Sequence, residues 1–196
     1  YKRQSRGRSY GIEILAQQKL SSSIYGIVAL TLVASEFTDR NDEFVASAWD
    51  NRIILNITAG KKFKNNWEVG ANFRLQGGGP YTPFDVPRSS LIEVWDVNQQ
   101  GVLDFNQLNT LRLGIVHALD VRVDKKWFFK KWALNIYLDI ENVYNFQAQA
   151  PPFLNVRRDD QGLPLVDPND PARYQTYLIE DFAGTLLPSI GVMIDF

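Results

Sequence analysis

The side chains best equipped to bind or react fall into three sets. Glu68, Asn72, Arg74, Asp120, Arg122, Asp124, Asn135, Asp139 and Glu141 recur at even-numbered spacings within three segments. Side chains of an extended chain alternate between two faces, so this spacing lays them along one face as a polar ladder of mixed sign. Such a ladder can hold a packed protein partner by ion pairs, contact a solute passing along it, or both. Arg122 is expected to pair with Asp120 or Asp139, because a charge left alone against a packed surface is costly. His117 is the single histidine, and no Ser or Asp spacing around it suggests a triad. No catalytic residue is assigned, and the chain is read as a non-enzyme. Further along, Arg157-Arg158-Asp159-Asp160 and Asp167-Pro168-Asn169-Asp170-Pro171 gather oxygen ligands that could coordinate Ca²⁺. They miss the EF-hand spacing, and a solvated loop is the simpler reading.

Composition narrows the chemistry further. The absence of cysteine excludes a disulfide framework and a thiolate metal site. A lone histidine excludes a multi-histidine centre within this chain, and no cofactor is expected. Lys plus Arg is 21 and Asp plus Glu is 22, so the net charge of -1 gives no global pull toward nucleic acid. Nor does a basic, aromatic platform accumulate on one face.

The elements that carry these residues read as strands. Trp67, Val69, Ala71, Phe73 and Leu75 alternate with Glu68, Gly70, Asn72, Arg74 and Gln76. Leu134, Ile136, Leu138 and Ile140 alternate with Asn135, Tyr137, Asp139 and Glu141, and Leu119, Val121 and Val123 with Asp120, Arg122 and Asp124. The end of the chain does the same: Ile190, Val192, Ile194 and Phe196 oppose Ser189, Gly191, Met193 and Asp195. Weaker alternation continues the pattern upstream, giving strands over residues 8–20, 24–37, 51–63, 67–77, 111–128, 132–145 and 186–196. A short turn of helix is expected within 102–109 or 171–180. The longest uncharged, largely apolar run, residues 24–34, is about half the roughly 20 residues that a membrane-spanning helix needs. Barrel strands, by contrast, are apolar only at every second position.

Connections and aromatics add two further signals. Short links at Leu20-Ser21-Ser22-Ser23, Lys64-Asn65-Asn66 and Phe129-Lys130-Lys131 alternate with long ones at about 38–50, 78–110 and 146–185. Tight turns at one end and long loops at the other are the pattern of outer-membrane barrels. Tyr25, Phe63, Trp67, Trp127, Phe129, Trp132 and Phe196 lie near the tight-turn ends, and Phe37, Trp49, Tyr144 and Phe146 near the loop ends. Two such belts suit the two headgroup zones of a bilayer. Lys125, Lys126, Lys130 and Lys131 bracket the third turn and should reach lipid or solvent there. Pro80-Tyr81-Thr82-Pro83 is held extended by its prolines; Tyr81 is either a cargo contact at the mouth or part of a rigid brace.

Several segments together resemble the C-terminal part of a TonB-dependent outer-membrane transporter of the kind abundant in Bacteroidetes. Gly7-Arg8-Ser9-Tyr10-Gly11-Ile12-Glu13 is similar to that family's G-x-x-Y-G-x-E strand opening, and Gly77-Gly78-Gly79-Pro80-Tyr81-Thr82-Pro83 to its rim loop. His117-Ala118-Leu119-Asp120-Val121-Arg122-Val123-Asp124-Lys125 resembles its H-R-L-D-x-R-x-D-K strand, with Ala118 where a basic residue is common. Leu138-Asp139-Ile140-Glu141-Asn142-Val143-Tyr144-Asn145 and the terminal Ile-Asp-Phe resemble its last strands. The resemblance implies a barrel of about 22 strands enclosing an N-terminal plug. It also implies an outer-membrane location, energy supplied through TonB, and uptake of a scarce nutrient. Its partners would be outer-membrane lipid, the plug and remaining strands, TonB, the barrel-assembly machinery acting on Phe196, and in some cases a surface lipoprotein. Glu68, Asn72, Arg74, Asp120, Arg122, Asp139 and Glu141 would then face the plug or lumen.

Physical reasoning asks for additional sequence as well. Seven strands are too few for the smallest usual barrel of about eight, and an open sheet edge cannot sit in hydrocarbon. The start, Tyr1-Lys2-Arg3-Gln4-Ser5-Arg6, has no apolar leader pattern, so the chain reads as a piece of something longer. Two rivals stand beside this reading. One is an outer-membrane enzyme or adhesin barrel with active loops, and the other a soluble β-rich binding module.

Overall fold

The computed structural model describes residues 5–196, so the reading at Tyr1-Lys2-Arg3-Gln4 lies outside the described residues. Along the chain run β1 (Gly7–Ser21), β2 (Ile24–Thr38), β3 (Phe44–Ala46), β4 (Ile53–Lys62), β5 (Trp67–Gln76) and β6 (Pro80–Tyr81). Two short helices follow, α1 (Val86–Ser89) and α2 (Ile92–Asn98). The chain continues through β7 (Leu111–Arg112), β8 (Val116–Phe128), β9 (Ala133–Glu141) and β10 (Ala148–Val156). It closes with β11 (Val166–Asp167), β12 (Asp170–Tyr174), β13 (Thr176–Ala183) and β14 (Leu187–Asp195).

The protein is all-β and antiparallel. One sheet runs in the order β1-β2-β4-β5-β8-β9-β14, with β3 attached to β2. All seven expected long strands are present, each paired with the next in chain order. Consecutive pairing follows from the tight turns: Ser22 and Ser23, then Asn65 and Asn66, take positive φ, which matches the right-handed twist of a hairpin. Among the described residues the sheet is open, with β1 and β14 each paired on one side only.

Cross-strand register sorts the side chains onto two faces. Phe73 lies between Ile57 and Leu119, Val123 opposite Leu138, and Ile136 opposite Val192, so the apolar positions of neighbouring strands coincide. Asn72 lies between Thr58 and Asp120, and Arg122 opposite Asp139, so the polar positions coincide as well. Among the described residues no layer covers the apolar face: Trp67, Ile136 and Val192 are 46%, 38% and 61% exposed, and Phe73 is half-buried. Each large apolar side chain left in water forgoes roughly 1.5–3 kcal/mol.

The buried apolar centre lies elsewhere. Among the described residues the buried apolar side chains are Trp95, Ala133, Leu154 and Val156, and three of these four belong to the long connections rather than to the sheet. Those connections form a loop layer at one end of the wall. Pro80–Tyr81 pairs with Leu111–Arg112, and β10 pairs with β13 as a long hairpin.

Several boundaries differ from the expectations. The strand expected over 111–128 begins at Val116, because Leu111–Arg112 is drawn off to pair with β6. The strand expected over 132–145 stops at Glu141, where Asn142 and Asn145 turn to positive φ. Residues 171–180 are strand rather than helix, while Phe105–Gln107 forms the turn of helix expected in 102–109. Helices α1 and α2 were not anticipated, although Asp85 accepts from the Arg88 N–H as an N-cap and Pro87 follows in the first turn. Tyr25 and Phe37 leave the expected aromatic belts: register places them on the polar face, a choice that the doubly apolar run of β2 had hidden.

Candidate functional site

Two surfaces gather polar side chains that can bind a partner. The first is the polar face of the wall, centred on β5, β8 and β9. Asp120 is its hub: one carboxylate oxygen accepts from Arg74 at 2.9 Å and from Asn72 at 3.3 Å, and the other accepts from the Asn142 N–H at 3.0 Å. Asn72 also accepts from the Thr58 hydroxyl at 2.9 Å. Glu68 accepts from the Tyr25 hydroxyl at 2.6 Å and lies 4.0 Å from the Lys62 ammonium.

Arg122 does not form the expected pair with Asp120 or Asp139. It closes on Asp124, two residues along its own strand, through two bonds of 2.8 and 2.9 Å. Asn135 supports Asp124 at 2.9 Å, and the guanidinium lies 3.7 Å from the centroid of the Tyr137 ring. The exchange has a physical basis: Asp124 offers bidentate geometry, and Tyr137 offers a face on which the guanidinium stacks. Asp139 and Glu141 make no side-chain hydrogen bond or ion pair among the described residues, and they line the same shallow concavity of about 370 Å³ as Arg74, Asp120 and Arg122. This surface carries both spent and unspent charge.

Two tyrosines organise that face. Tyr25 lies over Gly60 and Tyr137 over Gly191, each opposite its glycine in register; a Cβ on either glycine would fall within 2.3 Å of the ring. Strand glycines of this kind admit a neighbour's bulk. Tyr137 was visible in sequence as a member of the polar parity, but its ring on Gly191 was not, since residues 137 and 191 are distant in the chain.

The second surface is the loop layer. Ser89 donates to the Asp85 carbonyl at 2.6 Å and accepts from the Val102 N–H at 2.9 Å, closing the helical loop on itself. The loop after β9 docks on it: the Tyr174 N–H donates to the Ser90 carbonyl at 2.7 Å, the Arg173 guanidinium reaches the Ser90 hydroxyl at 2.8 Å, and the Tyr174 hydroxyl reaches Asp96 at 3.1 Å. Burial and then the bond to Asp96 push the Tyr174 hydroxyl's pKa up. On the other side, Asp50 is an almost fully buried carboxylate bonded to the Arg112 guanidinium and the Ser35 N–H, and Asn109 donates to the Ala46 carbonyl at 2.7 Å. The three long loops are thereby joined. At the junction of the second and third, Ser90, Arg157, Asn169, Tyr174 and Gln175 line a second concavity of about 480 Å³.

The remaining expectations are distributed as follows. Tyr81 is half-buried in the strap formed with Leu111, and Gly78 beneath that strap would bring a Cβ within 1.8 Å of the Leu113 carbonyl. Phe196 is fully exposed. His117 contacts the Tyr144 hydroxyl at 2.7 Å through Nδ1 and packs 4.0 Å from the Phe146 ring; no carboxylate orients it among the described residues. Asp159 and Asp167 accept from backbone N–H groups of their own turns, and Asp170 pairs with Arg173 at 2.9 Å. Among the described residues no three His, Asp or Glu side chains gather as a metal site. No protein-family model, curated protein or solved structure matches the chain.

Proposed function

We propose that this chain is a wall section of an outer-membrane β-barrel transporter whose energy comes through TonB. The observation that carries the reading is the apolar face shared in register by all seven long strands and covered by none of the described residues. An apolar surface of that extent marks a contact with another protein or a membrane, and lipid also accounts for the regular alternation of tight turns with long loops. The free edges of β1 and β14 then pair with further strands of the same barrel, since their unpaired N–H and C=O groups would each cost several kcal/mol in hydrocarbon. The mixed-sign face, with Asp139 and Glu141 still unpaired, suits a polar plug and the solute that passes it. The loop layer suits capture of a nutrient from outside.

The absence of native cysteine in this chain permits a direct test. In the complete protein in its native membrane, Ile136→Cys and Val192→Cys should resist a membrane-impermeant maleimide and react with a lipid-soluble one. Asp139→Cys should show the opposite preference. Equal aqueous labelling of Ile136→Cys and Asp139→Cys would overturn the membrane reading. Loss of nutrient uptake on deletion of TonB, with barrel assembly intact, is the expected sign of energy coupling; unchanged uptake would remove TonB from the proposal.

A further inference from the structure

Two adjacent lysine pairs at the tight-turn end of the wall are treated differently on its two faces. Lys62 and Lys126, on the polar face, meet carboxylates: Glu68 at 4.0 Å and Asp195 at 3.0 Å. Their chain neighbours Lys61 and Lys125 point to the apolar face, where register sets Lys61 between Ile24 and Val69 and Lys125 between Trp67 and Ile136. Neither forms an ion pair among the described residues; the Lys125 ammonium donates to the Asn65 carbonyl of the adjacent tight turn, which leaves its charge without a counter-ion. Lys61 lies 5.2 Å from the Phe63 ring, and Lys125 lies 5.2 and 5.5 Å from the rings of Trp67 and Trp127. Toward the loop end of the same face the cation is neutralised instead, with Arg8 held by Glu36 at 2.6 Å.

Unneutralised ammonium groups on an otherwise greasy surface need an anion from outside the chain. Lysine stems lie along apolar surface while their heads reach the polar boundary, and indole rings favour that same boundary. We propose that Lys61 and Lys125, set among Phe63, Trp67 and Trp127, form a seat for the phosphodiester headgroups of anionic phospholipids in the leaflet at the tight-turn end. The inference rests on the membrane reading above and adds a lipid preference to it. Lys61 and Lys125 flank β5 and are staggered by two residues along it, roughly 12 Å apart from the spacing and rise of strands, so both can act on one patch of lipid. The charge complementarity is confined to one end of one face, which distinguishes it from general surface charge.

The test uses the complete protein in phosphatidylcholine vesicles containing phosphatidylglycerol, with brominated acyl chains on one lipid or the other. Tryptophan quenching then reports which lipid borders the wall. Brominated phosphatidylglycerol should quench beyond its mole fraction. Replacing both apolar-face lysines, Lys61→Gln with Lys125→Gln, should lower that preference by about fivefold per lysine. The twin variant, Lys62→Gln with Lys126→Gln, should keep it, and Lys61→Arg with Lys125→Arg should keep it as well. An unchanged preference in the apolar-face glutamine variant, or an equal loss in the twin, overturns the seat. Insertion of the wild-type protein with no preference for phosphatidylglycerol overturns this inference alone, whereas failure to insert at all overturns the membrane reading with it.

Discussion

The wall and the loop layer solve the problem of stability in opposite ways. The wall is long and regular and is held by its ladder of backbone bonds, with one face partly satisfied by ion pairs such as Arg74–Asp120 and the other left greasy. The loop layer is irregular, yet it owns most of the buried apolar centre, where Trp95, Leu154 and Val156 sit almost out of reach of solvent. Burial inside the chain stabilises the loops, while the wall leaves its apolar face uncovered among the described residues. The same kind of substitution should therefore have different consequences in the two regions.

The largest effect is expected in the loop layer. Trp95→Ala should cost about 3–5 kcal/mol of local stability, read as lost amide-exchange protection across α2, β10 and β12 with the wall strands unchanged. Trp95→Phe should cost far less, because the buried indole N–H has no acceptor among the described residues. Equal loss of protection in wall and loops would mean that the two regions are one cooperative unit, and the contrast would fail.

The wall should respond to charge on its uncovered face. Val121→Arg, midway along β8 between Ala71 and Ile140, should cost about 2–4 kcal/mol of folding stability in lipid. Val97→Arg, at a position of α2 in the loop layer that is 83% exposed, should stay within about 0.5 kcal/mol. Refolding into lipid vesicles under a urea gradient would measure both. A harmless Val121→Arg would indicate that the face meets water.

A smaller effect distinguishes the two regions through glycine. Gly191→Ala would set a methyl group 2.0 Å from the Tyr137 ring, which Arg122 stacks from beside it. The expected cost is about 1–3 kcal/mol, shrinking in a Tyr137→Ser background because the two positions share one contact. Gly114→Ala, in the loop layer with open space around it, should be nearly neutral. Additive effects at 191 and 137 would show that the ring swings aside freely.

The contrast also explains what could be read from sequence. Wall strands announce themselves because a two-faced environment imposes period two on the residues, and Trp67 to Gln76 shows it at every position. That same rule placed Glu68, Asn72, Arg74, Asp120, Arg122, Asp139 and Glu141 on one face, which register bears out. Partners within the face were not readable. Arg122 chose Asp124 over Asp139 because Tyr137 and Asn135 completed a better set around it, a matter of geometry rather than spacing. In the loop layer the controlling contacts join residues far apart in the chain, such as Ser90 with Arg173 and Asp50 with Arg112. Periodicity carries no trace of such pairs. Helix α2 escaped the sequence reading: Leu91, Val94 and Trp95 do repeat at helical spacing, but seven residues give a weak signal beside the strands around them.

The smallest expected effect concerns protonation in the loop layer. Burial and the bond to Asp96 raise the Tyr174 pKa above its ordinary value near 10.0. A group whose pKa is raised on folding contributes stability that is complete below the unfolded value and is lost as pH climbs through the folded one. The docking of β12 on α2 should therefore persist to about pH 10 and loosen above it. Absorbance titration of tyrosinate, comparing the wild type with Tyr174→Phe, should show that the missing ring belonged to the late-titrating population. If it instead titrates with the exposed tyrosines, the hydroxyl is not held against Asp96, and the docking of the two long loops must rest on Arg173 and Ser90 alone.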